Sequence, residues 1–104
     1  MTQILQVTTT CADESKARHL AREMVEKRFA ACAQIKAISS VYMWDNKLCD
    51  EPEFEVSFKT VPRLRHIVFE ALSAAHTYDL PQIICSDIEA SADYRRWVET
   101  MVKD

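Results

Sequence analysis

A long strand–turn–strand pattern at residues 31 to 60, an amphipathic helical repeat on either side of it, and a short β-rich run beyond each repeat predict an α+β chain. The order is βαββαβ with a further helix at the C-terminus. Right-handed crossovers put the two main helices on one face of an antiparallel four-stranded sheet, which is the ferredoxin-like sandwich. At 104 residues this is a single domain, 1–104, able to bury roughly 65% of its unfolded surface without a staple. Many unrelated functions share this fold, so activity has to be argued from particular residues.

The first run, residues 3 to 10, sets Leu5 and Val7 on one face and Ile4 on the other; the threonines at 8 to 10 favour a strand and then release it. Asp13 is a candidate helix cap with Glu14 in the first turn. Ala17, Leu20, Ala21, Met24 and Val25 follow helical spacing, and Phe29 extends the stripe. Residues 31 to 44 then read as a strand rich in Ile, Val, Tyr and Trp. Asp45-Asn46 is the break, where Asn tolerates the positive φ of a tight hairpin turn. The return run sets Phe54, Val56 and Phe58 against Glu53, Glu55, Ser57 and Lys59 on the opposite face. Pro52 marks that end of the arm as an edge, bulge or loop, since proline donates nothing to a ladder. Thr60 and Pro62 open a second helix with Leu64, Ile67, Val68, Ala71, Leu72 and Ala75 along one stripe. Residues 82 to 85 form a fourth strand, and Ser91 caps a last helix that shows Tyr94, Trp97, Val98 and Met101 on one face.

The hairpin is too long for its domain. Fourteen extended residues span about 46 Å, against ~17–20 Å for an ordinary strand and a radius of gyration of about 13 Å for a domain of this size. The arm must bend, with Ser39-Ser40 as the place for it, or overhang. An overhanging arm bearing Tyr42, Met43 and Trp44 is an adhesive edge, and self-association is expected.

Composition excludes several functions. The net charge of −3 speaks against a non-specific nucleic-acid binder. No apolar run reaches membrane-spanning length, and the N-terminal residues lack a basic region and apolar core of signal-peptide type. Cysteines at 11, 32, 49 and 85 form no C-x-x-C pair, so a zinc knuckle or thioredoxin motif is absent and free thiols in the cytoplasm are expected. The chain has no glycine, which rules out phosphate-cradling loops and an acylphosphatase-like anion loop. Phe54 and Phe58 lack the signature that RNA-stacking aromatics would have.

The runs Ala31-Cys32-Ala33-Gln34, Ser40-Val41-Tyr42-Met43-Trp44, Lys59-Thr60, His76-Thr77-Tyr78-Asp79-Leu80-Pro81-Gln82-Ile83 and Tyr94-Arg95-Arg96-Trp97 resemble those of the CutA family of divalent-cation tolerance proteins, in order and in spacing. The resemblance implies a homotrimer like the PII signalling proteins, with hairpin arms pairing between subunits, and a link to copper tolerance and copper binding; no enzymatic reaction is implied. It also shows departures. Asn46 stands where the family usually has glycine. Thr9, Ala75 and His76 match a cysteine and two histidines implicated in copper binding in some bacterial members, so one of the three is kept.

These readings define the candidate residues. Cys32 and His76 are the metal candidates, for copper or another divalent ion. Cys32 fits a thiolate ligand or a small buried apolar residue, and His76 fits a ligand or a helix-terminal cation. Cys11, placed in a loop, is a substitute ligand. Tyr42, Glu53, Lys59 and Tyr78 match positions typical of the family and fit a polar cleft between subunits, with Glu53 and Lys59 able to bind a small ligand, or an ion pair within an aromatic interface. Trp44 and Trp97 are assigned to the subunit interface. The expected function is a trimeric divalent-cation tolerance protein that acts by binding. The alternatives are a PII-like sensor passing the state of a small ligand to a protein partner, and a structural trimerisation scaffold.

Overall fold

In the computed structural model, which describes residues 2–104, these patterns become β1 (Gln3–Cys11), α1 (Glu14–Glu26), β2 (Cys32–Trp44), β3 (Lys47–Thr60), α2 (Arg65–Ala75), β4 (Ile83–Glu89) and α3 (Ala92–Met101). The sheet order is β2-β3-β1-β4, antiparallel throughout, as the ferredoxin-like sandwich requires. Leu5 and Val7 of β1 and Val56 and Phe58 of β3 are buried in one core with Ala17, Leu20 and Met24 of α1, Val68 and Leu72 of α2, and Val98 of α3.

Local chemistry sets the element ends. The Asp13 carboxylate accepts from the Lys16 N–H at 2.8 Å, a cap typically worth ~1 kcal/mol. Ser91 does the same for the Tyr94 N–H at 3.2 Å. Without glycine, α1 ends through Arg28 at φ 62, a left-handed position that costs a non-glycine residue about 1–2 kcal/mol. Arg28 has a second use there. Its Nε donates to the Met101 carbonyl at 3.0 Å and its Nη2 to that of Val102 at 3.3 Å, closing the C-terminus of α3. Thr60, expected to cap the second helix, instead remains in β3 opposite Leu5 and donates to the Phe29 carbonyl at 2.7 Å. The chain then makes a 3-10 turn over Pro62–Leu64, with Pro62 as its first residue, before α2 begins. Cys11, expected in a loop, is the last residue of β1, buried opposite Phe54. Ala75, the last residue of the α2 stripe, is exposed.

The hairpin turn has both Asp45 (φ 54) and Asn46 (φ 61) left-handed, the geometry that matches the twist of two strands joined by two residues. From that turn β2 and β3 pair without a bulge from Trp44–Lys47 to Cys32–Lys59, through Ser39 and Ser40. β1 reaches only as far as the Cys11–Phe54 pair. Residues 38–53 are therefore a two-stranded ribbon beyond the sheet, and Pro52 sits where β3 has no neighbour on its second side. The molecule measures 45 × 23 × 21 Å. The arm overhangs.

Candidate functional site

The end of α2 organises the site. The His76 N–H closes the helix on the Leu72 carbonyl at 3.0 Å, and the backbone then turns extended. The His76 ring is held on both sides. Nδ1 accepts from the Tyr78 N–H at 3.1 Å, so the proton lies on Nε2, which donates to the Thr10 carbonyl at 2.7 Å. The ring also lies against Tyr78, with centroids 4.9 Å apart. This brace points the Tyr78 phenol at β3, where it donates to Glu53 Oε2 at 2.6 Å. Burial and then the Glu53 carboxylate hold the Tyr78 proton well above the ordinary phenol range. Glu53 belongs to the outward face by alternation, yet it is only 7% exposed. The segment after α2 folds back over the base of the ribbon and covers it.

Around this pair lies a cavity of ≈ 460 Å³, lined by Tyr42, Trp44 and Glu53 from the ribbon, Thr10 from β1, and Thr77, Tyr78, Asp79, Leu80 and Gln82 from the segment before β4. Three of the four cleft residues expected from the sequence, Tyr42, Glu53 and Tyr78, thus meet in one place. Within one chain Lys59 does not join them. It lies six positions along β3 from Glu53, about 20 Å away, and donates to Gln34 Oε1 at 2.7 Å. Thr10, Asp79 and Gln82 were missed because only the fold brings the end of β1 beside the connection into β4.

The two metal candidates are separated. Cys32 pairs across to Lys59, whereas His76 bonds to Thr10, which lies opposite Glu55, four positions further along β3 and about 13 Å off. The Cys32 thiol, half-buried, instead meets the Tyr94 hydroxyl at 3.3 Å. That hydrogen bond, together with burial, pushes the Tyr94 phenol up to about 12. Thr9 is buried and donates to the Gln82 carbonyl at 2.6 Å. A second, smaller cavity of ≈ 290 Å³ brings Cys11 and His19 beside Ala75 and His76. Burial, with Asp13 and Glu53 adding to it, raises the Cys11 thiol. Among the described residues, no group of three or more His, Cys, Asp or Glu side chains could hold a metal ion. With both His76 nitrogens engaged, the donor set of one chain does not fit a chelated metal.

The aromatic interface candidates lie apart. Trp44, 49% exposed, stands at the ribbon tip next to Val41, Met43 and Leu48, which are all more exposed. Trp97, 41% exposed, stacks on Tyr94 in α3 with centroids 5.6 Å apart. Among the described residues, no helix is long and apolar enough to cross a membrane.

Fold and site together define a class: a ferredoxin-like sandwich with a projecting hairpin and a cavity at the hairpin's base. The family model described as CutA1 divalent ion tolerance protein matches residues 5–101, and the chain belongs to that family. A probable divalent-cation tolerance protein cutA homolog of Encephalitozoon cuniculi is 31% identical, over 94% of this chain and 87% of its own length. Protein CutA of Mus musculus is 32% identical over 90% of this chain, which spans only 54% of that relative. Among solved structures, CutA from Synechococcus elongatus superposes with a TM-score of 0.94 at 30% identity, covering 99% of this chain and 93% of that one. CutA1 from Ehrlichia chaffeensis gives a TM-score of 0.93 at 28% identity, covering 100% and 99%. The family model, the Encephalitozoon relative and the Ehrlichia structure are described by divalent-ion tolerance, and none of these names indicates a catalysed reaction.

Proposed function

We propose that this chain acts as a homotrimer in the response of the cytoplasm to divalent metal ions, by binding rather than by catalysis. One observation supports self-association, and the resemblance to the CutA family supplies the number three: residues 38–53 form a ribbon with free edges whose tip bears exposed Val41, Tyr42, Met43, Trp44 and Leu48. A two-stranded ribbon is marginal alone, and strand pairing to other copies supplies both its missing hydrogen bonds and its apolar cover. The four free cysteines support a reducing compartment, although a solved relative from Archaeoglobus fulgidus carries the description periplasmic.

Copper or another divalent ion is the expected cargo. Because one chain assembles no chelating group, capture requires donors from two subunits, with the Cys32 thiol as one donor and His76 as the other only once its ring releases the Tyr78 N–H or the Thr10 carbonyl. Solution mass together with metal analysis of protein purified without chelators tests this directly. Titration with Cu(I), Cu(II) and Zn(II) should show uptake that falls in Cys32→Ser and His76→Ala; uptake unchanged by both substitutions would remove these residues from the metal reading. A second reading is favoured by the cavity at the ribbon base: a sensor in which a small ligand bound there biases the arm and, through it, a protein partner.

A further inference from the structure

We propose that the cavity at the base of the ribbon binds a small organic cation carrying N–H donors, an alkylammonium or guanidinium group, with Glu53 as its counter-ion and Tyr42 and Tyr78 as its aromatic walls. This deepens the ligand-sensing reading and is independent of the metal reading.

The charge pattern comes first. The cavity lining includes two carboxylates, Glu53 and Asp79, and no lysine, arginine or histidine. Neither takes part in an ion pair among the described residues. Glu53 is more than nine-tenths buried, with its Oε2 held by the Tyr78 hydroxyl and its other oxygen without a protein donor. A largely shielded carboxylate whose free oxygen opens to the cavity, with one neutral hydrogen bond and no countercharge in its own chain, is matched better by a cation than by an anion or neutral solute. Anionic nucleotides and organic acids are thereby disfavoured.

Shape selects an organic cation over a metal ion. The volume of ≈ 460 Å³ falls in the range of small-molecule sites. Tyr42, Trp44 and Tyr78 contribute aromatic surface, which attracts weakly hydrated organic cations through their ring faces. A divalent metal needs several oxygen ligands at close range, and the described residues supply no group of three. An N–H donor satisfies the open Glu53 oxygen, while Thr10, Thr77 and Gln82 provide polar groups on the rim. Both Tyr42 and Trp44 stand on the ribbon, whereas Tyr78 and Asp79 follow α2. A bound cation therefore bridges the arm and the body.

The test uses the 104-residue chain in chelator. Agmatine, butylamine and, as an anionic control, butyrate are titrated calorimetrically, with solution mass read in parallel. Agmatine and butylamine should bind and butyrate should not. Glu53→Gln should weaken binding about tenfold or more, the loss of a charge-assisted hydrogen bond. Tyr42→Leu should weaken it about threefold or more. Asp79→Asn, an exposed substitution, keeps the proposal testable if Glu53→Gln fails to fold, and should also lower affinity. No binding by either amine, equal binding of butyrate, or affinity unmoved by the Glu53 and Asp79 substitutions in folded protein would overturn the assignment. Amine binding by a monomer would leave it standing and remove the trimer alone.

Discussion

The two halves of the hairpin carry the same strand-forming pattern and have opposite fates. At the root, Val56 and Phe58 of β3 face β1 residues and are fully buried. At the tip, Val41, Met43, Trp44 and Leu48 are as apolar, are paired as regularly, and stay exposed. Backbone pairing alone therefore fixes conformation without fixing environment. Burial comes from what lies across the sheet and on its faces, and β1 ends seven residues before the turn-side end of β3. The root is stabilised within one chain, whereas the tip needs cover from outside.

Substitutions should separate the halves, with the largest effect at the root. Phe58→Ala removes a fully buried ring and is expected to cost ~3–5 kcal/mol, lowering the unfolding midpoint in denaturant at any protein concentration. Trp44→Ala at the tip should lower solution mass and melting temperature together while far-ultraviolet circular dichroism of the dissociated chain stays native-like. A lowered melting temperature with unchanged mass would assign Trp44 to the stability of the single chain and erase the contrast.

The tyrosines give a smaller effect. Tyr94, held by Cys32 at the root of β2, is raised to about 12, and Tyr78 is raised as well. A phenol whose folded value lies above its unfolded value of about 10 contributes full stability below pH 10. That contribution declines as the pH rises from about 10 to 12, where the unfolded chain ionises first. Tyrosinate absorbance of the native protein should lag that of the denatured chain, and Cys32→Ala should shorten the lag. The smallest change is expected at the turn. Asn46→Gly relieves a left-handed asparagine and should shift stability by at most about 1 kcal/mol, in the stabilising direction, with no effect on mass.

Much of the fold was legible in local chemistry. The Asp13 cap, the α1 stripe and the Asp45-Asn46 turn each depend on neighbours in sequence, and each lies where the residues put it. The candidate site was half legible. Tyr42, Glu53 and Tyr78, named for a cleft between subunits, line one cavity of a single chain, while Lys59 of that chain lies at the far end of β3. Thr60 shows the same limit: its hydroxyl suits a cap, yet the carbonyl of Phe29, from a different part of the chain, takes it.

Residue order alone determined the alternation, the helical repeats and an arm longer than its domain, because these follow from side-chain periodicity and a fixed rise per residue. Tertiary structure decided which carboxylate is buried, which tyrosine covers it, and that both His76 nitrogens are engaged. Those outcomes depend on groups distant in sequence meeting at hydrogen-bonding distance, which no local pattern encodes.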